Sequence, residues 1–174
     1  MALRVSLATP CGSRADTANL SSMTPVDRFV DGGSPLSAWA DEVLVVCPRC
    51  GARALVSAVP GEGPRLVCGA CALTKVAPPV SRWGGDPIDP WFGCPLWLQA
   101  PFGEHTVWAF NARHASELRD FVAARHRERD STPAGPGGTR TGGMSMIEKL
   151  PGWLKDAKNR EPLTEILDEL IARA

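Results

Sequence analysis

The sequence predicts an α+β fold: a small antiparallel sheet first, then a β-hairpin and a helix, then further helices after a flexible linker. Three observations point there. Two C-x-x-C pairs, Cys47/Cys50 and Cys68/Cys71, are bracketed by short apolar runs of the kind that form strands. Two alternating runs between residues 95 and 110 are joined by a Phe-Gly-Glu turn, the pattern of a hairpin. Apolar residues recur at helical spacing after Asn111 and again from Leu163 to Ile171.

Residues 1–40 hold no sustained period and are punctuated by Ser, Thr, Gly and Pro, so they read as a disordered leader, with order starting near Trp39. Residues 41–80 form the cysteine-bearing unit. Within it "EVLVV" (42–46) and "ARALVSAV" (52–59) are strands, "PGEGP" (60–64) is the turn between them and "RLVC", and "ALTKVA" leaves the second cysteine pair. Residues 81–129 carry the hairpin and a helix packed on that unit. Leu96 and Leu98 share one face of the first hairpin strand, and Trp97 and Gln99 the other. Asn111 suits the helix N-cap, and Ala115, Leu118, Phe121 and Val122 give an apolar stripe to a helix expected to run to about Arg129. Residues 130–143, "DSTPAGPGGTRTGG", are a linker by composition. In the C-terminal helical segment, 144–174, Ser145 and Glu148 have the spacing of a capping box, Pro151 and Gly152 should split the first helix, and Pro162 suits the first turn of the last one.

The four thiols carry the strongest chemical signal. Two C-x-x-C pairs with seventeen residues between them match the four-cysteine zinc pattern, in which the gap is ~15–20 residues. Two residues between thiols let both reach one metal, and the hairpin between the pairs brings them together, so Cys47, Cys50, Cys68 and Cys71 can close a tetrahedron around one Zn²⁺. Gly51 follows Cys50 where such a turn favours a positive φ. Iron in the same cage, disulfides and a redox pair stand as alternatives. No continuous apolar stretch opens the chain as a secretory signal would, so a reducing, cytoplasmic setting is expected, where disulfides rarely persist.

On these residues, "CPRCG…CGAC" on two hairpin turns, the segment 42–78 resembles the zinc ribbon of transcription factor IIB-type domains. The resemblance implies a zinc-held β-ribbon and little about function. The ribbon's second knuckle here reads "CGACA", without the glycine that often follows the last cysteine, so a slightly different turn is expected at Ala72. The stretch "DPWFGCPLWLQAPFGEHTVWAFNARHASELRDFVAARHRER" with "SMIEKLPGWLKDAKNR" is similar to a group of bacterial proteins with an N-terminal ribbon of this kind. That resemblance implies one inherited unit and no known activity.

With four cysteines on the metal no coordination position is open, so the ion is structural. Motifs for zinc hydrolysis, serine nucleophiles, phosphate loops and zinc deaminases are absent, and "DPIDP", with Asp86 and Asp89, reads as a proline-locked corner. Cys94 reads as a small buried apolar residue, and His114 and His126 as surface residues of the helix. No enzyme and no small-molecule substrate are expected. Equal numbers of acidic and basic side chains, 19 each, speak against a generally basic nucleic-acid binder. No apolar run reaches the ~18 residues that a transmembrane helix needs.

Two functions remain. The first is a protein-interaction or adaptor module with an unidentified protein partner. Its anchors would be Trp91, Trp97, Trp108 and Trp153 from a set of six tryptophans, with the Leu163–Ile171 helix free to dock beyond the linker. The second is nucleic-acid or transcription-related binding through a basic hairpin face of Arg49, Arg53, Arg65, Lys75 and Arg82, with only Glu62 opposing them in sequence and Trp83 beside them.

Overall fold

The computed structural model describes residues 28–59, 63–78, 81, 84–129 and 144–174. Strand β1 (Arg28–Asp31) is followed by a 3-10 turn over Leu36–Trp39. Strands β2 (Glu42–Val46), β3 (Arg53–Val59), β4 (Gly63–Val67) and β5 (Thr74–Val76) then form an antiparallel sheet in that order. Alternation sets its faces. Val43, Val45, Ala54, Val56 and Leu66 point inward and are buried, while Leu44, Leu55, Ser57, Arg65 and Val67 point outward. Strand β5 pairs with β4, and Val67 and Val76 lie exposed on the outward face at that edge. The opposite edge, at β2, is covered by the chain leading into the hairpin. The Val46 amide donates to the Pro95 carbonyl, the Trp97 amide to Leu44, and the Leu44 amide to Phe110.

The hairpin consists of β6 (Leu98–Phe102) and β7 (His105–Ala109). Its turn is shorter than expected. Phe102 pairs with His105, which puts His105 in the strand, and Gly103 takes the positive φ of 57° that so tight a reversal requires. Leu96 and Leu98 are both fully buried but serve two different cores. Leu96 joins the inward face of the four-stranded sheet, and Leu98 joins a second core built with the helices. The half-buried Leu36 and Trp39 pack against both.

Helix α1 (Ala112–Ala123) starts at Asn111, whose side chain accepts from the His114 amide. The same side chain donates to the Trp39 and Glu42 carbonyls at 2.8 and 2.6 Å, so one residue caps the helix and ties it to the start of the sheet. The helix ends earlier than the stripe suggested. Residues His126–Arg129 form strand β8 instead, paired in parallel with β1. Arg127 carries the break. Its guanidinium donates to the Phe121 and Val122 carbonyls at the end of the helix and to the Lys155 carbonyl, and it lies over the Phe121 ring. The leader boundary moves as well, because β1 and the 3-10 turn fall within 1–40. The rest of the proposed leader, 1–27, and the linker 130–143 lie outside the described residues.

The C-terminal segment forms α2 (Met146–Lys149), α3 (Gly152–Lys155) and α4 (Arg160–Ala172). The Ser145–Glu148 capping box is present, and Pro151–Gly152 separates α2 from α3 as expected. The Ser145 hydroxyl also donates to the buried Asp31 carboxylate, which fastens α2 to the end of β1. Helix α4 packs on α1. Leu163, Leu167 and Leu170 are buried in the second core with Leu118, Phe121 and Phe29, and Arg119 pairs with Asp168 at 3.0 Å. No helix among the described residues is long and apolar enough to cross a membrane.

Candidate metal centre and aromatic groove

Each cysteine pair sits on a turn closed in the same way. The Cys47 amide donates to Ala52 and the Cys68 amide to Leu73, in both cases five residues on. Gly51 has φ of 74°. Ala72, its counterpart, has φ of 55°, so the second turn repeats the first despite lacking the glycine. The expected difference in turn shape is therefore corrected. What differs is strain, because a Cβ in the left-handed region costs ~1 kcal/mol or more.

The four sulfurs lie within 4.8 Å of one another, with 3.7 Å separating Cys47 from Cys71 and 3.7 Å separating Cys50 from Cys68. A tetrahedron with metal–sulfur arms of ~2.3 Å has edges of ~3.8 Å, so the cluster has the size to hold one metal ion. Its electrostatics fit a cation. Burial opposes ionisation of Cys47, yet the Arg49 and Cys50 amides aimed at its sulfur, with the neighbouring thiols, bring it down to about 6. The Ala52 amide favours the Cys50 thiolate, but the Cys71 thiol, burial and the other thiols outweigh it and push Cys50 up to about 12. Thiolates this close oppose one another's ionisation, and a bound cation removes that opposition. Cys94 stands apart from the cluster, buried, with its thiol pushed up by burial and then by Asp89. Asp89 is itself buried and accepts from the Trp91, Phe92 and Cys94 amides, so this half of "DPIDP" organises a corner.

The basic residues do not gather on one face. Arg53 and Arg65 project outward from β3 and β4, whereas Lys75 pairs with inward-facing Leu66 on the opposite side. Arg53 donates to the Ala174 carbonyl. Arg49 is exposed on the first cysteine turn, and Arg82 and Trp83 lie outside the described residues.

The tryptophans divide too. Trp91 is half-buried against the sheet core, and Trp97 donates to the Arg173 carbonyl at the end of α4. Trp108 and Trp153, both half-buried, line a groove of about 860 Å³ between β7, the 3-10 turn and the α2–α3 segment. Trp153 stacks on His105 with ring centroids 4.6 Å apart, and on Phe102.

His114, expected on the helix surface, is only 2% exposed and borders this groove. Its Nδ1 accepts from the Phe110 amide, which leaves the proton of the neutral ring on Nε2. Burial, helped by the Arg113 charge, drives its pKa down to about 3. Sequence periodicity carried a signal for this burial: His114 lies one turn before Leu118 and two before Phe121, on the stripe side. His126 is exposed, on β8. Comparison with known protein families, curated proteins and solved structures finds no match to this chain.

Proposed function

We propose that the chain is a non-enzymatic adaptor whose four-stranded sheet is a zinc ribbon of the transcription factor IIB type, held by one structural Zn²⁺ on Cys47, Cys50, Cys68 and Cys71. The sulfur cluster supports the metal and its closed coordination, since four thiolates fill a tetrahedral site and leave none open for chemistry. The observation that carries the adaptor reading is the groove. It combines an apolar wall with two tryptophans at its rim, the side-chain type on which protein interfaces concentrate binding energy. The Leu163–Ile171 stripe is spent on the chain's own core, which leaves Trp108 and Trp153 as the anchors. Nucleic acid is the weaker reading, because Arg53, Arg65 and Lys75 divide between two faces.

Elemental analysis of the purified chain should give close to one zinc per molecule. A native pull-down should recover one companion in stoichiometric amount, and Trp153→Ala should release it while leaving the metal in place. Recovery of nucleic acid with a steep salt dependence, and of no protein, overturns the adaptor in favour of the basic residues.

A further inference from the structure

Among the described residues, one donor bordering the groove has no acceptor. The Phe110 amide fixes His114 as the tautomer with its proton on Nε2, and no hydrogen bond to Nε2 exists among the described residues. Among the described residues, the buried side-chain nitrogens left without a partner and sealed from solvent are Trp39 Nε1 and Arg160 Nε. His114 Nε2 is not among them, and the surface this residue borders is the groove. Nε2–H is therefore open to the groove rather than sealed, and a carboxylate arriving there replaces water with a charge-assisted hydrogen bond.

The remaining chemistry of the lining has one sign. Among the described residues, Lys149 is the formally charged side chain of the wall, exposed and without an ion pair, and no carboxylate lines the groove. Ser37 and Thr106 add hydroxyls, and Leu118, Leu150 and Leu154 supply the apolar surface. The volume, about 860 Å³ and open to solvent, is that of a ligand cleft and exceeds one side chain.

We infer that the groove receives a peptide segment of the partner in which apolar side chains stand beside a carboxylate, the carboxylate taking the His114 Nε2 proton donor and the Lys149 charge while the apolar side chains pack between Trp108 and Trp153. This deepens the adaptor reading and rests on it.

The test is selection of a random dodecapeptide display library on the zinc-loaded full chain, with Trp153→Ala as counter-selection. Enriched peptides should combine Asp or Glu with Leu, Phe or Trp. Lys149→Glu, an exposed substitution that leaves the core alone, should weaken them about tenfold or more. The imidazole Nε2–H resonance of His114, followed by ¹⁵N NMR, should move on binding. Enrichment of basic or uncharged peptides, equal binding to Lys149→Glu, an unmoved His114 resonance, or no enrichment at all overturns the inference. A native partner recovered through some other surface overturns this inference and spares the adaptor. Absence of any native partner overturns the adaptor itself.

Discussion

The two cores of this chain are built on different terms. The core under the four-stranded sheet is made of Val43, Val45, Ala54, Val56 and Leu66 with Cys47 and Cys68, closed from outside the sheet by Leu96 and Phe110. The core between the hairpin and the helices is made of Leu98, Leu118, Phe121, Leu163, Leu167 and Leu170, with Phe29 and Met146. The strands themselves contribute mainly valine and alanine to this core, and small sheets of that kind commonly draw on a metal or another cross-link. The helical half rests on larger leucine and phenylalanine side chains brought together by packing. The difference suggests a test of separate roles, in which a metal on the sulfur cluster would secure the sheet and the leucines the helical half.

The largest effect that tests this contrast is loss of the proposed metal. Chelation, or Cys47→Ser or Cys68→Ser, should unfold residues 42–78, because structural zinc sites contribute apparent binding free energies of ~10–16 kcal/mol to small modules. Hydrogen exchange should show the β2–β5 amides unprotected while α1 and α4 keep their protection. Simultaneous loss of both halves would show that they form one cooperative unit. Acid should mimic chelation, because the ligands must shed protons to bind, so metal affinity falls as pH falls.

Next in size is Leu167→Ala. Leu167 is fully buried between α1 and α4, so its truncation should cost ~2–5 kcal/mol. The loss should appear in thermal melting of the helical half, with the metal content unchanged.

His114 gives a smaller, pH-dependent term. Its folded pKa, about 3, lies below the ordinary ~6.5 of an unfolded chain. Between those values the unfolded state binds a proton that the folded state refuses. The stability is therefore complete above pH ~6.5 and is lost progressively toward pH 3, by ~2 kcal/mol at pH 5. A melting series over that range should fall more steeply for the wild type than for His114→Gln, the difference being the His114 term.

The smallest effect is the most local. Ala72→Gly should stabilise the second cysteine turn by ~0.5–1 kcal/mol, because its φ of 55° no longer opposes a Cβ. Gly51→Ala should do the reverse at φ of 74°. An unchanged melting temperature for both would remove the strain argument.

What the sequence disclosed follows range. The four strands of the sheet, the capping box at Ser145 and the Asn111 cap are each written within a few residues, and each was legible. The sulfur cluster was legible because its two halves are repeated motifs on one hairpin. What escaped was set by distant partners. Strand β1 has only Phe29 and Asp31 buried, and its pairing residues lie near 126. Without that knowledge "RFVD" looks like leader and "HRER" like the last turn of a helix. Likewise, whether a tryptophan is an anchor or a brace depends on what faces it. Trp97 is fixed by the far end of α4, and Trp153 lies against His105 across the groove. The opposed faces of Arg65 and Lys75 follow from register, which sequence proximity hides.

The parallel pairing of β1 with β8 bears on the order in which the chain acquires its shape. Arg28 is matched with His126, and Arg28 reaches Glu128 across 100 positions of chain. Every antiparallel pair in the sheet and the hairpin closes a short loop, whereas this one must wait until sheet, hairpin and α1 have already drawn its two strands together. During synthesis, Arg28 leaves the ribosome with its partner strand still unmade, so the first described strand to be synthesised is among the last to find its place.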